Sequence, residues 1–341
     1  MSAPTADAPA EGRTRAFALG AHVSAIAFDR AGTLAAFALG DGSVALIDAA
    51  GEPHTVAAHK GAALSLAMHP AGGFLSGGDD GRLVHVAADG SVSEVAAFKG
   101  KWVEAIAVHP RGGLFAVAVG KEMHLFGREG GPRTLGPHPS TVTDLDFSPD
   151  GSRLAGAHYG GVSIWTVRNP SDAPRKLAWK GSHLRLRYSP NGRFLATTTQ
   201  ENAIHVWRLA SGADMQMAGY PAKIKSLAWS HDGALLLSSG AEPFVCWSFA
   251  GRGPEGQPPI EFGGLAGVLI TAIAAHGAAP FAVAGFSDGA LQLGDLQGKR
   301  ATALKTPGEG AISALAWSGD GWRVAYGSES GEAGLLDLTP R

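Results

Sequence analysis

The sequence predicts an all-β protein built from repeated short strands, and three observations carry this prediction. Its 341 residues include 49 glycines and 20 prolines, which indicates many turns. Between these turn residues, apolar and polar residues alternate in short runs, as expected for half-buried strands. One strand-and-turn motif recurs along nearly the whole chain. With 45% hydrophobic residues, the chain has enough apolar side chains to form a core.

The recurrent motif is a short strand followed by a turn that contains Asp, Pro or Gly. The residue before the turn falls, in eight successive copies, at Phe28, Met68, Val108, Phe147, Tyr188, Trp229, Ala275 and Trp317. Neighbouring copies are therefore 39 to 46 residues apart. This nearly constant spacing indicates a repeat architecture in which each copy is one structural unit.

Within each copy the pattern predicts four strands in a fixed order. In the fourth copy the first strand is DLDF (144–147), the second is RLAGAHY (153–159) and the third is SIWTV (163–167). A more polar fourth strand precedes the next copy, as in SEVAA (93–97). Four strands in about 40 residues are typical of one blade of a β-propeller. We therefore predict an all-β propeller with eight four-stranded blades, with seven blades as the alternative.

The two ends of the chain are expected to meet in the last blade. The segment RTRAFAL (13–19) has the pattern of an outer strand, yet no blade precedes it, and the last copy (312–338) supplies only three strands. Pairing of these segments would close the ring and cover sheet edges that otherwise invite aggregation. Residues 13–341 are thus predicted to form a single propeller domain. Residues 1–12, rich in Ala and Pro, are predicted to be a disordered lead-in.

The repeats resemble the WD40 family, most closely in VTDLDFSPDGSRLAGAHYGGVSIWTV (142–167). The resemblance covers nearly the whole chain from about residue 14. No copy ends its third strand in Trp-Asp, since each copy supplies at most one of the two: Trp165, Trp207 and Trp247, or Asp48, Asp295 and Asp337. The resemblance also implies buried His–Asp pairs in two blades, which we assign to His22 with Asp41 and His59 with Asp80.

The first strands of the fourth and fifth copies carry unusual charges. Two alternating positions hold Ala or Ser in most copies, but Asp144 and Asp146 in the fourth copy and Arg185 and Arg187 in the fifth. Since these strands would be neighbours at the central channel, we predict that the aspartates and arginines pair and clamp the two blades together. The alternative is a channel site that holds a small anion or a peptide carboxylate.

Composition and missing motifs exclude several classes of function. A formal net charge of −2 gives no general attraction to nucleic acid or membranes. The lone cysteine, Cys246, permits no internal disulfide, and no signal-like or membrane-spanning segment is evident, so we expect a cytoplasmic protein. The abundance of Ala, Gly and Arg indicates a bacterial coding sequence. With no GxSxG, Walker lysine, CxxC or HxxxH motif, we predict no enzyme activity, no cofactor and no metal.

Partner binding is the remaining class of function. The resemblance implies that partners dock on the face formed by the loops before each first strand and after each second strand. Those loops carry large aromatic and basic residues: Lys101, Trp102, Tyr159, Lys180, Tyr220, Lys223 and Lys225. We therefore predict a monomeric, non-enzymatic scaffold that binds another protein, one with an acidic segment, on this face. Binding of a small ligand or anion in the central channel is the alternative.

Overall fold

The regular structure of the described residues consists of β-strands. The computed structural model describes residues 14–48, 51–127, 131–169, 171–251 and 253–339, and thirty strands lie within these ranges. Residues 1–12, predicted to be a disordered lead-in, lie outside the described residues. None of the described residues forms a helix that is long and apolar enough to cross a membrane.

The first part of the chain forms three antiparallel sheets of four strands after an initial strand, β1 (Thr14–Ala18). The three sheets contain, in chain order, β2 (Val23–Phe28), β3 (Leu34–Leu39), β4 (Ser43–Asp48) and β5 (His54–Ala57); β6 (Ala63–Met68), β7 (Phe74–Gly78), β8 (Arg82–Val86) and β9 (Val92–Ala97); and β10 (Val103–Val108), β11 (Phe115–Val119), β12 (Glu122–Phe126) and β13 (Arg133–Leu135). In each sheet the strand order follows the chain order. Tight turns connect the strands, in keeping with the many glycines.

The middle of the chain forms one sheet of six strands. These are β14 (Asp144–Phe147), β15 (Arg153–Thr166), β16 (Arg175–Tyr188), β17 (Phe194–Thr199), β18 (Ile204–Arg208) and β19 (Asp214–Met217). Three further sheets follow, made of β20 (Leu227–Trp229), β21 (Leu235–Ser238), β22 (Phe244–Ser248) and β23 (Ile260–Phe262); β24 (Ile270–Ala275), β25 (Phe281–Phe286), β26 (Leu291–Asp295) and β27 (Arg300–Lys305); and β28 (Ile312–Trp317), β29 (Arg323–Ser328) and β30 (Glu332–Asp337), the last three with β1.

The ring closes where the first strand of the chain meets the last. Strand β1 pairs antiparallel with β30, from Thr14 opposite Leu336 to Ala18 opposite Glu332. The backbone N–H of Leu19 then donates to the carbonyl of Gly331 at 2.8 Å. The predicted propeller and its closure by the N-terminal strand are therefore confirmed.

The six-stranded sheet contains two sequence repeats. Strand β15 turns back on itself at Gly160 and Gly161, which have φ values of 88° and 132°. The N–H of Val167 donates to the carbonyl of Ser152 at 3.0 Å and so joins the two ends of this strand. Strand β16 pairs with β15 through its first half and with β17 through its second half. It is thus the outer strand of the fourth repeat and the first strand of the fifth.

The number of units depends on what is counted. The described residues form seven hydrogen-bonded sheets, six of four strands and one of six, which agrees with the alternative of seven. The innermost strands number eight, one for each repeat, and each contacts the next around the channel: β2, β6, β10, β14, β16, β20, β24 and β28. Eight repeats occupy seven sheets because the fourth and fifth repeats share one.

Neighbouring sheets pack closely because small residues face large ones. Gly327 in β29 is one such position, since a Cβ atom added there would overlap the side chain of Val23 at the start of β2. Val23 is fully buried in a cluster that joins the first and last sheets, together with Phe37 and Leu335. Glycine at residue 327 thus permits the contact between the two ends of the ring.

Replacing Gly327 with alanine should destabilise the protein by about 1–3 kcal/mol, the usual cost of overpacking a core. The free energy of unfolding, measured by urea denaturation, tests this. Gly277→Ala is the matched control because no atom lies within 4 Å of a Cβ added there. Equal stability of the two variants would contradict the packing role of Gly327.

Candidate functional site

One of the two expected His–Asp pairs is present. His59 Nδ1 lies 3.1 Å from Asp80 Oδ1, and His59 Nε2 lies 2.9 Å from the hydroxyl oxygen of Ser76. Burial lowers the pKa of His59, although the charge of Asp80 opposes this effect. In the neutral form, Nδ1 donates to Asp80 and Nε2 accepts from Ser76. The pair therefore fixes, from inside the sheet, the loop that precedes β6, which is the innermost strand of the second repeat.

The structure does not bring His22 and Asp41 together. The carboxylate of Asp41 accepts hydrogen bonds from the backbone N–H and the hydroxyl of Ser43, at 3.0 and 2.6 Å, within its own turn. The carbonyl of His22 accepts from the N–H of Gly40, as the carbonyl of Ala62 accepts from the N–H of Asp79. His22 is thus equivalent to Ala62 and not to His59. The predicted pair was wrong by a shift of three residues in the repeat.

Two other sheets have a tryptophan in the equivalent network. Trp165 Nε1 donates to His138 Nε2 at 3.1 Å, and Trp247 Nε1 donates to the hydroxyl of Tyr220 at 2.8 Å. In both pairs the residues are 27 positions apart. The Tyr220 hydroxyl also contacts the hydroxyl of Ser238 at 2.6 Å. Tyr220, predicted to face a partner, therefore directs its polar group into the sheet, and the shared spacing is the sequence signal that could have shown this.

The predicted clamp between the fourth and fifth repeats forms in part. Arg187 Nη1 donates to Asp144 Oδ2 at 2.8 Å, and the N–H of Leu186 donates to the same oxygen at 2.9 Å. Asp146 Oδ2 accepts from the N–H of Tyr188 at 2.9 Å. Burial raises the pKa of Asp146 to about 6, against the opposing charge of Arg187. Both aspartates thus bind the backbone of the neighbouring innermost strand.

Arg185 is not paired with either aspartate. Its Nε donates to the carbonyl of Lys225, on the following repeat, at 3.2 Å. Strand β16 is offset along β14, so that Asp144 lies beside Leu186 and Arg187, and Asp146 lies beside Tyr188. Arg185 therefore extends beyond the acidic pair and lies exposed at the channel. The prediction of two parallel Asp–Arg pairs was wrong for this residue.

The Asp144–Arg187 pair should show strong energetic coupling. Asp144→Ala leaves the Leu186 N–H without its acceptor, and Arg187→Ala leaves a buried carboxylate without its counter-charge. In a double-mutant cycle measured by urea denaturation, we expect the double variant to lose about 1–2 kcal/mol less than the sum of the single variants.

The exposed Arg82–Glu94 pair, with a 2.8 Å contact, is the matched control and should give a coupling below about 1 kcal/mol. Additive losses for Asp144 and Arg187 would show that their contact contributes nothing to the boundary between the two repeats.

The two aromatic residues predicted on the docking face are exposed. Among the described residues, Trp102 and Tyr159 are the exposed large hydrophobic side chains, at 58% and 60%. Trp102 directly precedes the innermost strand β10, and Tyr159 lies at the turn inside β15. Both are thus at the end of the ring where the innermost strands begin. We call this end the entry face.

The four predicted lysines also lie on the entry face, and all four are exposed at the surface. Lys101 contacts the carboxylate of Glu122 at 3.2 Å. Lys180 is exposed in β16, just before the half of that strand that pairs with β17. Lys223 donates to the side-chain carbonyl of Gln200 at 3.0 Å. Lys225 contacts the carboxylate of Glu329 at 3.5 Å.

A cavity of about 670 Å³ occupies the entry-face end of the central channel. Charged side chains from several repeats line it: Arg185, Arg187, Lys223, Lys225 and Glu329. The channel alternative considered from the sequence named only the aspartates and arginines. The structure adds Lys223 and Lys225 to the channel residues, whereas the sequence predicts both on the docking face.

His205, a buried histidine of the fifth repeat, packs against the rings of Trp179 and Trp207. His205 is fully buried, its ring centroid lies 3.9 Å from that of Trp179, and neither ring nitrogen has a hydrogen-bond partner. An oxygen of Asp214 lies 3.7 Å from its Nε2. Burial, aided by the charge of His183, lowers the pKa of His205 to about 4. His205 is therefore neutral in the folded protein at neutral pH.

Acid should destabilise the protein through His205. The pKa of His205 is lower in the folded state than its unfolded value of about 6.5. At pH values between these two pKa values, the unfolded chain therefore binds more protons than the folded protein does. The free energy of unfolding therefore falls as the pH drops through that window, by about 2 kcal/mol at pH 5. Urea denaturation across this pH range measures the slope.

His205→Phe should reduce that slope, because it removes one of the histidines whose pKa is lowered by burial. If the wild type and His205→Phe lost stability equally on acidification, another group would be responsible.

Among the described residues, no group of three or more His, Cys, Asp or Glu side chains is arranged to hold a metal ion. The histidines instead pack against one another and against aromatic rings, as His138 does with His158 and Trp165. Cys246 is buried, and burial raises the pKa of its thiol to about 12.

A closed ring of antiparallel sheets, with the first strand of every repeat at a central channel, defines a β-propeller. The repeat family described as "WD domain, G-beta repeat" matches residues 51–85 and 132–166. These two matches and the propeller arrangement together support a WD40-repeat β-propeller.

The chain is similar to parts of several named proteins. It is 31% identical over 140 residues to Protein HIR1 of Chaetomium globosum, which covers 31% of this chain and 13% of that protein. It is 30% identical over 135 residues to the chromatin assembly factor 1 subunit FAS2 homolog of Oryza sativa subsp. japonica, covering 36% and 26%. It is 25% identical over 227 residues to a guanine nucleotide-binding protein subunit beta of Arabidopsis thaliana, covering 60% and 58%. The matches span less than two thirds of each relative.

Proposed function

We propose that this protein is a non-enzymatic scaffold that binds another protein on its entry face. The observation that carries the proposal is the exposure of Trp102 and Tyr159 on that face. Tryptophan and tyrosine are enriched among the residues that contribute most to binding at the centres of protein interfaces. Both rings lie on neighbouring repeats, so a single partner segment could contact them together.

The chemistry of the surrounding surface favours an acidic partner. Lys180, Lys223 and Lys225 are exposed along the entry face, and such rim charges steer an acidic segment and speed its association. Lys101 and Lys225 are partly neutralised by Glu122 and Glu329 and contribute less than Lys180 and Lys223. The partner we propose is thus a protein segment with apolar residues for the two aromatic rings and acidic residues for the lysines.

The relatives are consistent with a scaffold role. Two of the three named above are described as subunits, one of chromatin assembly factor 1 and one of a guanine nucleotide-binding protein. A buried thiol of raised pKa at Cys246 is not suited to nucleophilic chemistry, which supports a non-enzymatic role. A cytoplasmic location, a bacterial origin and a monomeric state stay predictions, and the relatives named above are eukaryotic.

Removing the two aromatic rings should strongly weaken partner binding. We expect the partner captured by the wild type to bind Trp102→Ala/Tyr159→Ala at least 30-fold more weakly, because interface hot spots contribute about 2 kcal/mol or more. The partner is identified by affinity capture, and its dissociation constant is then measured with purified proteins.

Arg111→Ala, at an exposed position in a turn at the opposite end of the ring, is the control and should bind normally. Both variants should keep the far-ultraviolet circular dichroism of the wild type. Unchanged affinity of the double variant would place the docking surface elsewhere.

A further inference from the structure

The cavity at the entry-face end of the channel has an excess of positive charge. Arg187 is matched by Asp144, and Lys225 has Glu329 as its carboxylate partner. Arg185 and Lys223 have no carboxylate within 4 Å among the described residues. Arg185 donates to the backbone carbonyl of Lys225, and Lys223 donates to the side-chain carbonyl of Gln200. Two of the four cations that line the cavity, Arg185 and Lys223, therefore have no carboxylate partner among the described residues.

The hydroxyl groups of the cavity are already used to hold the ring together. Ser24 donates to the carbonyl of Ala63, Ser226 to the carbonyl of Ile273 and Ser313 to the carbonyl of Val23. Each hydroxyl has one proton, so none of these three can donate to a ligand as well. The donors that remain for a ligand are mainly guanidinium and ammonium groups, which favours an anion over a neutral polyol.

The geometry of Arg185 leaves part of its guanidinium available. Among the described residues only its Nε has a hydrogen-bond partner, the carbonyl of Lys225 at 3.2 Å. The contact fixes the side chain in the cavity and leaves the two terminal nitrogens for a ligand. A planar guanidinium held in this way can donate two parallel hydrogen bonds to an oxyanion. The ammonium group of Lys223 adds positive charge and does not require the anion to take one particular orientation.

From these features we propose that the cavity is a binding site for a compact anion of the phosphate type with two or more negative charges. Two cations without carboxylate partners, Arg185 and Lys223, match such an ion better than they match a single carboxylate. The cavity, at about 670 Å³, can hold a phosphorylated small molecule or a short polyphosphate. This site is distinct from the aromatic surface at Trp102 and Tyr159, and its existence does not depend on the scaffold role.

Glu329 lowers the anion affinity of this site. Its carboxylate lies 3.5 Å from the Lys225 ammonium, and the two side chains are about half exposed at the mouth of the cavity. An incoming anion must compete with this carboxylate for Lys225. Replacing Glu329 with glutamine should therefore strengthen anion binding, whereas replacing Arg185 should weaken it.

Isothermal titration calorimetry at fixed ionic strength tests the site with inorganic phosphate, pyrophosphate and tripolyphosphate. We expect saturable binding of pyrophosphate that weakens at least tenfold in Arg185→Ala and strengthens about threefold or more in Glu329→Gln. Arg111→Ala removes the same charge from an exposed turn at the other end of the ring and should bind as the wild type does. Arg185→Lys, which keeps the charge but loses the planar fork, should give an intermediate affinity.

Succinate and citrate, titrated at the same ionic strength, separate the phosphate class from carboxylates. Tighter binding of either carboxylate would overturn the phosphate assignment. Absence of saturable binding of all three phosphates at millimolar concentration, or an unchanged affinity in both Arg185 variants, would overturn the site itself. Because Arg185 is exposed, its variants should fold, and Glu329→Gln provides an independent test if one of them does not.

Discussion

The ring depends on side-chain hydrogen bonds between the innermost strands of neighbouring repeats. Each sheet satisfies its own backbone groups, but the carbonyl groups that face the next sheet at the channel need another donor. Ser24, Thr143, Thr271 and Ser313 supply it, each through its hydroxyl group, to the carbonyl of the following innermost strand. Ser313 is decisive because it bonds Val23 and so links the last repeat to the first. Small hydroxyl side chains meet this requirement without widening the channel.

The boundary between the fourth and fifth repeats solves the same problem with charge. There Asp144 and Asp146 accept from the backbone N–H groups of Leu186 and Tyr188, in addition to the hydroxyl of Thr143 donating to the carbonyl of His183. Buried carboxylates require a counter-charge, and Arg187 provides it. These two repeats also share the six-stranded sheet, so their boundary is held by backbone pairing as well. Arg185 has neither aspartate as a partner, so its guanidinium group can contact a ligand in the channel.

The sequence predicted the repeat, the strand order and the closure because these follow from local periodicity and from the count of strands. It could not predict that β15 and β16 run on without a break, since this depends on how two glycines and the following residues pair. The error at His22 arose because this histidine directly precedes its innermost strand, whereas His59 lies four residues before the start of β6. The pattern of a histidine before the first strand does not specify this distance. Tyr220 was also wrongly placed on the docking face. Its ring is half-buried, and its hydroxyl forms hydrogen bonds with Trp247 and Ser238. The exposure of Trp102 and Tyr159 could be expected, because neither fits an apolar position in its repeat.

The pairing of β1 with β30 also determines the order in which the protein can fold during synthesis. Thr14 is among the first described residues to leave the ribosome, yet its partner Leu336 is made more than 300 residues later. At about 5–20 residues per second, β1 remains without its partner strand for roughly 15–60 s. During this time it is an unpaired strand with a free edge, open to other chains and to chaperones. The ring is thus completed only after translation of the last repeat, and the nascent chain is an open arc until then.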